Sequence, residues 1–203
     1  MIIGGIHAAT SQTSGTIKTL LVQEWPGEID RFFGSLSQFN ITTLLDTGIV
    51  FDLVAKHFQL PKSVQYLEST MTNFFDDRGS KGCLFDTIIM NMGDVLPHSR
   101  TISYPSHKVL DFESLQRIPT ILSTRGVFIL RFTPTSHMVL MMQEGLAQMF
   151  GTCYRYPQYA VKKETQLMIC TVLPTPSPFE SLSRSLDFLE AAADLDFYFN
   201  LNP

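Results

Sequence analysis

Charge is scarce in this chain and evenly spread. Charged residues make up 17% of its 203 residues, the net charge is −4, and the 15 Lys and Arg residues form no run. Without a basic cluster or a basic-aromatic stripe, neither a nucleic acid nor a membrane surface is expected as a partner. A mildly acidic protein tolerates a basic protein surface instead. No apolar run reaches 18 residues, which excludes a membrane-spanning helix, and the N-terminus lacks the charged region and long apolar core of a signal peptide. Cysteine is rare as well. Cys83, Cys153 and Cys170 are an odd number without metal-ligand spacing, so the expectation is no disulfide framework, no metal and a reducing compartment. Internal repeats and an interdomain linker are also lacking. What the chain does have is 44% hydrophobic residues with 16 Phe, enough at this length for one domain with a real core.

Periodicity predicts helices over the first 75 residues. Ile17, Leu20, Leu21 and Trp25 form one stripe, ended by Pro26-Gly27, and Ile29, Phe32, Phe33 and Leu36 form the next. Ile41 to Phe58 reads as a longer buried segment, and Val64, Leu67, Met71 and Phe74 give a fourth stripe. Residues 97–125 read as loops with one short helix around Phe112–Gln116. From Gly126 the chain turns to strands: Val127–Phe132 and His137–Met142 around a four-residue polar turn predict a hairpin, with further strands over Gln148–Tyr156 and Gln166–Leu173. Ser177, Pro178 and Glu180 mark the start of a C-terminal helix. The expected class is α+β in a single domain, with a helical leader over 1–75, a catalytic core over 76–173 and a closing helix and tail over 174–203.

The segment Gly79-Ser80-Lys81-Gly82-Cys83-Leu84-Phe85 joins a flexible turn to an apolar run. Leu84, Ile88 and Met92, with Phe85 and Ile89, read as the buried face of a helix whose first turn holds Cys83. Backbone N–H groups and the helix dipole there would stabilise a thiolate. The alternative is a small hydrophobe opening a buried helix. A cysteine nucleophile requires a base and a group that orients the base. Of five histidines, His137 alone heads a predicted buried strand, 54 residues after Cys83. The stretch from His137 to Phe179 contains no Asp or Asn, which leaves Gln143, Gln148, Gln158 and Gln166 as orienting groups. Gln158, one strand later, is the best placed to fix the imidazole tautomer. Cys153 and Cys170 fall inside predicted strands and read as core.

Cysteine at a helix start, histidine at a strand start and glutamine one strand later resembles the bacterial Cys-His-Gln glutamine deamidase effectors, the group of the cycle-inhibiting factors and the MavC–MvcA ubiquitin deamidases of Legionella. The resemblance spans roughly Gly79 to Tyr159. It implies a papain-like core: a central cysteine-bearing helix packed on an antiparallel sheet, an N-terminal helical region and a C-terminal helix. It also implies deamidation of a glutamine in ubiquitin or a ubiquitin-like protein through a thioester, with Cys83 as nucleophile, His137 as base and acid, Gln158 as orienter and no cofactor. Transglutamination would be a side activity, and the site of action would be the host cytoplasm. Residues 93–125 are too few for the insertion through which some members engage a ubiquitin-conjugating enzyme, so that partner is in doubt.

Two other readings stay open. Gly82-Cys83-Leu84-Phe85 also looks like the cysteine motif of ovarian-tumour deubiquitinases, although the preceding Asp-Gly-Asn is missing. That alternative is a papain-like peptidase or deubiquitinase. The other is a non-catalytic protein-binding module in which Cys83 is inert.

Overall fold

The computed structural model describes residues 15–24, 26–45, 52, 56, 60–82, 84–95, 102–109, 112–133, 136–156 and 166–174. Along them the chain forms β1 (Ile17–Gln23), α1 (Glu28–Ser35), β2 (Phe39–Leu45), β3 (Val64–Glu68), α2 (Met71–Ser80) and β4 (Phe85–Asn91). A short antiparallel pair follows, β5 (Asp94–Val95) and β6 (Ile102–Ser103). The remainder is α3 (Phe112–Ile121), β7 (Leu122–Phe132), α4 (Ser136–Met149), β8 (Thr152–Tyr156) and β9 (Gln166–Thr171).

Seven strands make one sheet in the order β3-β2-β1-β4-β7-β9-β8. The first five run parallel, β9 is antiparallel to β7, and β8 is antiparallel to β9. Helices cover both faces. Leu20, Val22, Ile88, Met90, Phe128 and Leu130 pack on one side against Phe74 and Phe75 of α2 and Ile118 of α3. Their neighbours Leu21, Ile89, Val127 and Ile129 pack on the other side with Phe33 of α1. A strand buried on both faces is apolar at nearly every position and shows no alternation. The class is therefore a Rossmann-like α/β fold, and the expected papain-like α+β core is corrected.

That double burial explains the misread elements. Ile17, Leu20 and Leu21 match a helical stripe only because β1 is buried on both faces and so shows no strict alternation; all three are buried on a strand. The stripe over 64–74 spans two elements, β3 and α2. Thr70 separates them, its hydroxyl accepting the Asn73 N–H at 3.3 Å as an N-cap. The supposed cysteine helix is β4. Conversely, the expected strand over His137–Met142 lies in α4, whose Met142 and Leu146 are buried one turn apart while Met141 is exposed. A six-residue apolar run fits either element, and only the longer helical spacing decides it. The helices expected over Ile29–Leu36 and around Phe112–Gln116 are present as α1 and α3, and the strands over Val127–Phe132 and Gln166–Leu173 as β7 and β9. The expected C-terminal helix lies outside the described residues. Among the described residues, β1, from the first third of the chain, is part of the core and pairs directly with β4.

The cysteine expectation also changes. Cys153 on β8 faces Cys170 on β9 in register, with Cα atoms 4.1 Å apart, and the two form a disulfide. Their strands were expected, but not their apposition, which depends on pairing that local sequence does not reveal.

Candidate functional site

Open parallel sheets bind ligands beyond the carboxyl ends of their strands, where the strand order reverses. Here the chain moves outward from β1 to β2 and β3, then returns to β4 and continues to β7. The reversal therefore lies between β1 and β4, whose last residues, Gln23 and Asn91, are register partners.

The β1 side is built around Asp30, in the first turn of α1 and fully buried. Its carboxylate accepts the Gly27 N–H at 2.7 Å, the Thr43 hydroxyl at 2.5 Å and the side-chain amide of Gln23. Burial pushes the Asp30 carboxyl above its ordinary value, opposed by the hydrogen bonds from Thr43, Gly27 and Gln23. Gln23 and the helix entry are thus held by the chain's own carboxylate. The loop of residues 23–28 holds one glycine, Gly27, whose φ of −171° is ordinary extended backbone, and a β-carbon there would meet nothing within 4 Å.

The β4 side carries two linked groups. Asn91 Oδ1 accepts from Arg131 Nη1 at 3.1 Å, and the Arg131 guanidinium lies 4.1 Å from the Tyr104 ring centroid. Gly93 lets the β5–β6 pair come close. A β-carbon there would lie 2.5 Å from Ile102 Cγ2 and 2.9 Å from the Ser103 carbonyl oxygen. Next comes Asp94. Its Oδ1 accepts the Ser106 hydroxyl at 2.7 Å, and its Oδ2 accepts the His107 backbone N–H at 2.7 Å and meets His107 Nδ1 at 2.8 Å. Partial burial raises the Asp94 carboxyl, but hydrogen bonds from the His107 amide, Ser106 and the His107 ring outweigh it and hold the group below its ordinary value. In the neutral ring an ionised Asp94 takes the proton on Nδ1, and Nε2 of the exposed His107 ring is then an acceptor.

Cys83 and Gln158 lie outside the described residues. His137 is in the first turn of α4, not at the head of a strand, and its side chain is outside the described set. The segment after Cys83 is a strand, so the helix-start argument for a stabilised thiolate does not apply. Among the described residues no three His, Cys, Asp or Glu side chains could hold a metal, and no helix is long and apolar enough to cross a membrane. Asp94 and His107 were not singled out from the sequence. The signal for them was polar Asn91, Gly93 and Asp94 directly after a buried apolar run.

No family model and no curated protein matches the chain. Among solved structures, it superposes on human methyltransferase-like protein 13 in complex with SAH with a TM-score of 0.70, at 16% identity over 91% of this chain and 90% of that one. A probable spermidine synthase from Corynebacterium glutamicum gives 0.61 at 14% identity, over 91% and 68% of the two chains. A TehB-like SAM-dependent methyltransferase from the same species gives 0.54 at 13% identity, over 85% and 89%. These likenesses overturn the resemblance to glutamine deamidases, and with it the thioester chemistry, the ubiquitin substrate and the conjugating-enzyme partner. The peptidase and binding-module alternatives fit no better. The chain shares the Rossmann-like α/β fold of these structures.

Proposed function

We propose that this chain binds a sulfonium nucleoside of the S-adenosylmethionine class where β1 and β4 part, and transfers a group from it to a nucleophilic acceptor. The observation that carries this reading is the strand order, with its reversal between Gln23 and Asn91. The human structural neighbour is described with SAH, the product form of such a ligand.

The donor set discriminates among ligands. A dinucleotide needs several glycines so that the backbone can approach its pyrophosphate, and free N–H groups at the helix entry to hold it. This loop has one glycine, and Asp30 takes the Gly27 N–H. Glu24 and Glu28 add negative charge in the same segment, and Glu68 ends β3. The chemistry disfavours a phosphate and suits a cation. Asp46 follows β2 directly in sequence, about twenty residues beyond the β1 loop, the spacing at which a carboxylate serves ribose hydroxyls. A ligand of this class supplies, when bound, a carbon attached to positively charged sulfur. The chain's own contribution is to hold the ribose and to prepare the acceptor. His107 Nε2, with its tautomer fixed by Asp94, takes the acceptor's proton.

Calorimetric titration with SAH, NAD and ADP tests the reading. Saturable binding of SAH alone, weakened ~10-fold or more by Asp46→Asn, is expected for loss of a charge-assisted hydrogen bond. Failure of SAH to bind, or equal binding of NAD, refutes it.

A further inference from the structure

A cavity lies at the other end of the sheet from Gln23 and Asn91. It has a volume of about 490 Å³ and is lined by Lys18, Asn40, Thr42, Gln65 and Arg78 among others. Lys18, Asn40 and Gln65 stand at or next to the first residues of β1, β2 and β3, so this cavity faces the amino ends of the strands, away from Gln23 and Asn91. The pairing explains why these side chains converge. Lys18 is opposite Asn40, and Thr42 is opposite Gln65. Successive strand residues alternate faces, so Asn40 and Thr42 share one face, with Lys18 and Gln65 beside them. That face is the one α2 covers, and Arg78 of α2 closes the cavity from above with its guanidinium 5.4 Å from the Phe74 ring centroid. Gly82 and the exposed Leu84 complete the rim. Gly82 has a φ of +62°, the left-handed conformation that lets the chain turn from α2 back into β4 at this point.

Among the described residues, the lining holds two cations, two carboxamides and a hydroxyl, and no carboxylate. Asp86 is close in sequence and its carboxylate accepts the Lys18 backbone N–H at 3.0 Å, but it does not line the cavity. Lys18 and Arg78 suit a phosphoryl or carboxylate group, while Asn40, Gln65 and Thr42 both donate and accept and so suit hydroxyls. The volume falls in the range of small-molecule sites. We infer that this chain carries a second binding site, at the amino ends of β1–β3, for a small phosphorylated polyhydroxy metabolite. It is separate from the nucleoside site and does not depend on it.

Thermal-shift and calorimetric titrations with glucose 6-phosphate, glucose and inorganic phosphate test this on the full chain. Glucose 6-phosphate is expected to bind most tightly, phosphate more weakly and glucose least. Lys18→Ala, at an exposed position, should weaken the two phosphates ~10-fold or more while leaving SAH affinity unchanged. Gln65→Ala should weaken glucose 6-phosphate more than phosphate. No binding of either phosphate, or binding that survives Lys18→Ala, overturns the site. Because SAH is titrated in parallel, failure here is distinguishable from failure of the nucleoside reading.

Discussion

Asp30 and Asp94 are both carboxylates held by several donors, yet their titration moves in opposite directions. In the folded chain Asp30 keeps its proton to higher pH than the ordinary value of 3.8. Its contribution to stability therefore falls as pH rises from the unfolded value through the raised folded one. Asp94 titrates below 3.8, so its contribution is present above the unfolded value and is lost as pH falls through the folded one. Urea unfolding from about pH 3 to about pH 8 should show Asp30→Asn flattening the decline above the ordinary carboxylate range, and Asp94→Asn flattening the acid-side loss. An unchanged profile in either variant would contradict the assignment. Asp30→Ala removes the acceptor for Gly27, Thr43 and Gln23 and should cost about 3 kcal/mol in the same measurement. His107→Gln and Asp94→Asn should both lower the transfer rate ~10²-fold or more, with little effect on SAH affinity. Loss of SAH binding in either would place the pair in the ligand site and not at the acceptor.

Elements were legible where one face is wet or where polar and glycine residues bound the apolar run. The stripe Ile29, Phe32, Phe33 identifies α1 because its other face is polar, and Val127–Phe132 identifies β7 because Thr, Arg and Gly bound the run. β1 and β4 were misread because burial on both faces erases the period of two, and α4 because Met and Leu occupy a run too short to show the helical period. The β8–β9 pair gives an element-scale prediction. Its disulfide closes a loop between residues 17 apart, which by chain entropy stabilises by about 3 kcal/mol. Reduction, or Cys153→Ser with Cys170→Ser, should lower the urea midpoint accordingly. An unchanged midpoint would mean that the two sulfurs are not joined in solution. Gly93→Ala acts on the neighbouring element. Its β-carbon would overlap Ile102 and the Ser103 carbonyl, pushing the β5–β6 pair away and moving Asp94. It should cost about 1–3 kcal/mol as an overpacking change, read from the same unfolding curves.

At the scale of the molecule, little of the fold and none of the candidate site was readable in advance. The parallel pairs join residues far apart in sequence, such as Leu20 with Ile88 and Ile88 with Phe128. Nothing local in a strand states which partner it takes. The candidate site exists only through that pairing, since Gln23 and Asn91 become neighbours when β1 and β4 align. A cysteine motif, by contrast, stands out locally, because it needs no strand pairing to be seen. Ile88, at the centre of the sheet and fully buried, shows how strongly the architecture depends on these contacts; Ile88→Ala should cost about 2–5 kcal/mol.

The most direct measurement is amide hydrogen exchange with and without saturating SAH. Protection should rise at Gln23–Gly27 and Asn91–Asp94, the facing ends of β1 and β4, and stay unchanged at Lys18, Asn40 and Gln65. Protection confined to the amino ends of the strands, or no change anywhere, would contradict nucleoside binding at the strand reversal.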